Sequence, residues 1–470
     1  MRSTTTVALL AALTAAVPAR SVAAQHAHSP APDSVAADAP RAARPAHADS
    51  ATGGDAHAMP MRPLRGGWTA MGMAQAFPVV TGGAPFDRAS PLHTSEAYLT
   101  QPAAMVDVAS GAQRVVLRTT LNFEAWTQRR GELTPGAWGE GYIDSRHPHT
   151  LLHELMLSAN AWDTPAGAFS VSAGKGFAPY GTDDPMARPV LKYPTNHHLS
   201  QILERWTLNA QYLTRSGLSV EGGVFAGAEP DGPYDLSNIR GFGDSWSARV
   251  AQRLGAGSGP FAAWELSASY GHVAATHATG VTRLANAAVR HSGAYGFGAV
   301  YALAEASRSW PTADQGYYSL LGETRLGLGR GERHQPYYRV ELATRPEYAR
   351  EGPPGTPGFF RYDHDGAPIG ATRWLVNTVG YAYQTTGMPA SVRPFVEVQH
   401  SRVSPARGGV SPIALFNGRG FVSVSAGFRL FVGGGPMRMG SYGLLDPMVA
   451  SMRPRGATPT SHDMAGMHDM

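Results

Sequence analysis

Between about Arg114 and Val432 the chain reverses polarity at every second residue, and few folds tolerate that pattern. Val422, Val424, Ala426, Phe428, Leu430 and Val432 are apolar, and Ser423, Ser425, Gly427, Arg429 and Phe431 stand between them. Val392, Val396 and Val398 are set in the same way against Arg393, Glu397 and Gln399, and Trp264, Leu266 and Tyr270 against Glu265, Ser267 and Ser269. Tyr338, Val340 and Leu342 oppose Arg339, Glu341 and Arg345. A helix repeats near 3.6 residues, so a repeat of two calls for strands with one apolar face.

Short polar turns pair these segments: Thr164-Pro165-Ala166-Gly167, Arg215-Ser216-Gly217, a Gly-Ser-Gly turn after Leu254, and Gly329-Arg330-Gly331-Glu332. Longer stretches rich in Pro, Gly and Asp separate the pairs, at 178–204, 229–243, 274–290 and 346–371. Short turns alternating with long loops are the asymmetry of an outer-membrane barrel. Thirteen segments read clearly as strands, with weaker candidates at 68–79 and 138–144. Bacterial single-chain barrels have even strand numbers, so the expectation is an all-β, antiparallel up-and-down transmembrane barrel of about 14 strands, within a range of 12 to 16.

A soluble sandwich or lectin-like assembly would bury the apolar face; a barrel in lipid would expose it. The polar face carries charges at mid-strand: Arg118, Glu124, Glu154, Glu221, Arg249, Glu265, Glu323, Arg325, Arg339, Glu341, Arg393, Glu397 and Arg429. A lumen accommodates such a set, either as a field that selects solutes or as salt bridges that fill a narrow interior. Trp162, Trp206, Trp246, Tyr270, Trp310, Tyr318 and Trp374 fall near strand ends, as an interfacial girdle requires. Only 16% of the 470 residues are charged. That is well below the roughly 25% of an average soluble protein. No basic run is dense enough for nucleic acid, so the expected partners are outer-membrane lipid and small solutes or metal ions. The oligomeric state is left open.

The ends differ from the body. Residues 1–24 read as a secretory signal, with Arg2, an apolar run from Val7 to Val17, and small residues at Val22-Ala23-Ala24. Residues 25–66 form an Ala-, Pro- and His-rich arm that lacks the aromatic and β-branched residues needed to fold. The barrel is assigned to 67–433 and a C-terminal tail to 434–470. That tail ends in His462, Met464, Met467, His468 and Met470, and the arm adds His26, His28, His47, His57, Met59 and Met61. Thioethers suit Cu(I) or Ag(I) and imidazoles suit Cu(II). The chain has no Cys, so His and Met are its soft ligands. No cofactor is required by this reading; a copper or silver ion is the one the tail could take.

Two further clusters carry imidazoles. Arg146, His147 and His149 stand with Asp144 before them and His153 after, and His197 and His198 are followed by Glu204 and Arg205. They could ligate a metal or form a polar cluster that anchors the 178–204 loop against the lumen or rim. A rim hydrolase would need a nucleophile paired with one of these histidines. There is no G-x-S-x-G elbow, so the reading is a non-enzyme, with a rim enzyme or a structural, adhesive barrel as alternatives.

The stretches Asp144-Ser145-Arg146-His147-Pro148-His149, Asn196-His197-His198, and Glu221 through Asp231 followed by Asp244-Ser245-Trp246-Ser247 resemble a set of uncharacterised porin-like outer-membrane β-barrel proteins. Members often carry a His/Met-rich arm, and the likeness spans about Trp68 to Val432. It implies a barrel and brings no established activity. The His/Met-rich ends are also similar to those of copper resistance protein B, another outer-membrane barrel, although here the richest motif is C-terminal. From the two together we expect a porin-like channel or binding barrel, linked to copper or silver tolerance through its ends.

Overall fold

The computed structural model describes residues 62–85, 94–111, 113–127, 149–164, 166–190, 194–195, 197–255, 263–274, 280–310, 316–347, 369–385, 390–416, 418–433 and 439–445. All belong to the unit Thr52–Met470. The signal segment, most of the arm, the strand candidate at 138–144, Arg146, His147 and the Met/His-rich end lie outside the described residues.

Seventeen strands pair in one antiparallel sheet. One is the two-residue strand Arg62–Pro63, which adds to the start of the first long strand; the other sixteen close into a ring. In chain order they are β1 (Thr69–Pro85), β2 (Thr94–Ala109), β3 (Val115–Asn122), β4 (Leu152–Asp163), β5 (Gly167–Gly176), β6 (Arg205–Thr214), β7 (Leu218–Phe225), β8 (Ser245–Leu254), β9 (Trp264–Ala274), β10 (Val281–Tyr295), β11 (Gly298–Trp310), β12 (Tyr317–Leu328), β13 (His334–Glu347), β14 (Gly370–Tyr383), β15 (Ser391–Arg407) and β16 (Gly420–Val432). Each pairs with its neighbour, and β16 returns to β1 with Phe431 opposite Gln75. Sixteen is the upper end of the range expected from the sequence.

The alternation resolves as expected into an outer and an inner face. On β16, Val424, Phe428 and Val432 are exposed, and Ser423, Ser425, Arg429 and Phe431 are buried. Around the ring Val80, Val106, Leu157, Val379 and Val396 also face outward, with Val379 59% exposed. A continuous apolar outer surface on a closed barrel fits lipid and would be a liability in water. The barrel therefore spans a membrane.

Several local expectations change. β2 went unrecognised in the sequence, because Pro102 interrupts its pattern; Gln101, at φ 50°, lies opposite a register shift between Gln75 and Phe77. The stretch 274–290, read as a loop, contains most of β10; its Ala-rich run has weak strand propensity and is held by pairing on both sides. Glu124 begins a short helix, Glu124–Thr127, and so is not at mid-strand. Trp374 does not belong to a girdle. It is buried on the inner face of β14, donating from Nε1 to Thr372 Oγ1 at 2.8 Å beneath the Arg345 guanidinium. Trp246 and Tyr270 are exposed as a girdle requires.

Two segments fold into the lumen. The described parts of the β5–β6 connection, 177–190, 194–195 and 197–204, touch the wall at several strands. Asn209 holds the Phe177 carbonyl at 2.9 Å, Ser269 Oγ accepts from Gly181 N at 2.9 Å, and Glu341 accepts from Thr195 N at 2.7 Å. Arg429 donates to the carbonyls of Pro189 and Arg188 at 2.6 and 3.0 Å. The second segment is 439–445, the early part of the expected tail. Its Met439 and Tyr442 pack with Phe177, Met186 and Met156 in a buried apolar cluster.

Candidate functional site in the barrel lumen

The inner wall is built of matched charges. Arg118 grips Asp107 through Nε and Nη2 at 2.9 and 2.7 Å. Arg249 grips Glu221 with both contacts at 2.7 Å. Glu265 lies between Arg253 and Arg290, at 2.9 and 3.1 Å. Arg339 meets Glu341 at 2.8 Å and Glu323 at 4.0 Å, and Arg325 meets Glu332 at 3.3 Å. Glu397 accepts from the Tyr337 hydroxyl at 2.9 Å, and Glu154 from Thr120 at 2.5 Å. The Arg393 guanidinium lies over the Phe431 ring. The charges named from sequence, apart from Glu124 in the short helix Glu124–Thr127, are partners in ion pairs, hydrogen bonds or ring contacts.

The inserted loop joins this network. Arg188 reaches Glu305 at 3.3 Å, and Asp183 is paired with Arg290. Glu305 and Asp107 were not singled out from sequence. Glu305 alternates with alanines on β11 and carried a readable signal; Asp107 lies on the strand that went unrecognised. Tyr442 carried none, because nothing in a Gly- and Met-rich tail marks a residue that returns to the interior.

The histidine cluster lies where the loop rejoins the wall. The pairing of β3 with β4 skips from Thr120–Glu154 to Leu121–Leu152, leaving His153 as an extra residue in a bulge. Successive strand residues ordinarily face opposite sides, but the bulge turns both His153 and Glu154 inward, each 0% exposed. Glu204, at φ 58°, enters from the loop end. Its Oε1 accepts from Thr150 N and Oγ1 at 2.9 and 2.8 Å and from His153 Nδ1 at 2.8 Å. His149 Nδ1 is 3.7 Å away, and His149 Nε2 is 4.0 Å from Glu124 Oε2. Lys175 donates to Thr150 Oγ1 and the Leu152 carbonyl. Burial opposes ionisation of Glu204, but the His153 hydrogen bond, with His149, His153 and Lys175 close by, holds its carboxyl well below the usual range.

Of the sequence-predicted imidazoles, His149 and His153 come together here, where the end of the loop meets the wall. His198 lines a cavity of about 260 Å³ together with His149, Glu204, Arg205, Gln201 and Ser309. His197 begins a short 3-10 turn, His197–Leu199.

A closed antiparallel ring, apolar outside and charged within, is a transmembrane β-barrel of the outer-membrane type. No family model matches the chain, and no curated protein matches it. Solved structures to which it is similar include an anion-selective porin from Comamonas acidovorans, at 8% identity and a TM-score of 0.43, covering 77% of this chain and 99% of that one. OprB of Pseudomonas putida matches at 12% identity and a TM-score of 0.48, covering 78% and 94%. The outer membrane channel DcaP of Acinetobacter baumannii matches at 10% identity and a TM-score of 0.44, covering 79% and 100%.

Proposed function

We propose that the protein is a porin-like outer-membrane barrel that admits small polar solutes to a narrowed lumen. One observation carries the reading. Sixteen strands enclose more space than wall side chains fill, and here that space is narrowed by inserted backbone while a cavity of about 260 Å³, lined by both charged and apolar side chains, persists. The cavity is below the usual size of drug-sized ligand sites, so the solute is small. Reconstituted in a planar bilayer, the barrel gives discrete conductance steps that survive removal of 461–470. A barrel that stays silent with and without residues 439–470 overturns the reading.

The Met/His-rich end supports a second element. His462, Met464, Met467, His468 and Met470 supply soft donors for copper or silver. Cells carrying the barrel without 461–470 become more sensitive to copper; unchanged sensitivity removes the tail from metal handling and leaves the channel reading intact.

A further inference from the structure

We propose that His149, His153 and Glu204 form a binding site for a divalent transition metal of the zinc–copper group inside the lumen, separate from the Met/His-rich end. Each residue offers one ligand atom, and the three atoms lie within 4.8 Å of one another. Nitrogen and oxygen ligands of zinc stand about 2.0–2.1 Å from the metal, so tetrahedral partners are about 3.4 Å apart. The existing 2.8 and 3.7 Å separations bracket that value.

The chain departs from regular structure to assemble this set. A strand bulge brings His153 inward beside Glu154, and a left-handed backbone at Glu204 presents its carboxylate to both rings. A side chain as long as glutamate rarely adopts that conformation without reason. His153 is completely buried, and Nδ1 is the ring atom it turns to Glu204.

Donor type and access point the same way. The buried carboxylates Glu124, Glu154 and Glu204 lie around the two imidazoles, with Lys175 and Arg205 as the basic groups close by. Two imidazoles and a carboxylate are the donor set of zinc sites with three protein ligands and one open position. His149 and Glu204 both line the cavity, so the open position faces the space a small solute would enter. Thr150, bonded to Glu204, and Glu124, beside His149, are the outer groups that orient such ligands.

The test uses the full barrel lacking only 461–470, stripped with chelator and titrated with Zn(II) against a chromophoric competitor. One equivalent binds beyond any held by the arm histidines His26, His28, His47 and His57, and its affinity falls at least tenfold in His153→Ala and in Glu204→Gln. Glu124→Gln lowers it by about 10-fold or more, as loss of an outer partner does. Since His153 is in the wall, His149→Ala, which precedes β4, serves as the second variant, and heat-modifiable gel mobility confirms that each barrel is folded. Equal Zn(II) affinity in folded wild-type and His149→Ala barrels overturns the site, as does failure to bind one equivalent. Conductance is read separately, so a barrel that conducts but holds no metal sinks this site and leaves the channel reading standing.

Discussion

The Tyr442 hydroxyl donates to Glu154 Oε1 at 2.7 Å while accepting from Phe177 N at 2.9 Å. One side chain therefore ties the C-terminal segment to the barrel wall and to the first residue of the inserted loop. Tyr442→Phe leaves the Phe177 amide buried without its acceptor, at a cost of about 1–3 kcal/mol. The expected result is faster hydrogen exchange at Phe177 and Leu444 and a larger unit conductance. Unchanged exchange would mean that the segment is held by packing alone.

Gly443 offers a second way to dislodge the same segment. It has φ 59°, and a Cβ there would run into Gln211 and Ser170. Gly443→Ala is expected to push 439–445 from its seat while every wall residue keeps its identity, so conductance rises while strand content by circular dichroism stays constant.

Arg249 joins wall to segment, donating to Glu221, to the Gly440 carbonyl at 3.2 Å and to Ser441 Oγ at 3.0 Å. Glu221→Gln strands a buried guanidinium and is expected to destabilise the barrel by about 3–5 kcal/mol in reversible unfolding. Adding Arg249→Met should recover most of that loss. No recovery would show that Arg249 acts mainly through the segment.

Val424 tests the outer face. It sits mid-strand on β16 and is 47% exposed, in a position that meets lipid. Val424→Arg should cost about 2–4 kcal/mol in a bilayer, whereas an arginine at a water-facing site would be nearly neutral. Equal stability of the two proteins in lipid vesicles would place this face in water.

In the β7–β8 connection, Asp235 accepts from Asp231 N at 3.0 Å and Ser237 N at 2.7 Å. Desolvation opposes its charge, but these hydrogen bonds prevail and hold its carboxyl below the ordinary value. A folded value below the unfolded one, about 3.9, gives stability that is present above that pH and is lost as pH falls through the folded value. Pepsin cleavage within 226–244 should therefore rise as pH drops below about 4, and Asp235→Asn should be open to cleavage across that whole range.

The sequence revealed the barrel because lipid on one side and charge on the other impose the alternation directly, as at Val424 and Arg429. It pointed to wall charges such as Glu221 and Arg249 for the same reason, but not to Asp107 or Glu305. It concealed β2 and β10, where Pro102 and an alanine run weaken the local pattern and cross-strand pairing supplies the order. It also concealed the join between Glu204 and His153: a bulge shifts the register by one residue, and periodicity cannot foresee a skip. The return of Tyr442 to the interior depends wholly on partners distant in the chain.

The ring closes where β16 meets β1, the last strand against the first. Such a seam pays the largest loop-closure entropy of any pairing in the wall, and it can form only once the whole chain is available. The 177–204 loop must by then be within the circumference, since its ends belong to β5 and β6 and its middle is bonded to β13 and β16. Assembly therefore amounts to wrapping a wall around its own contents, and a change that delays docking of the loop should slow barrel closure even where the finished wall is unaltered.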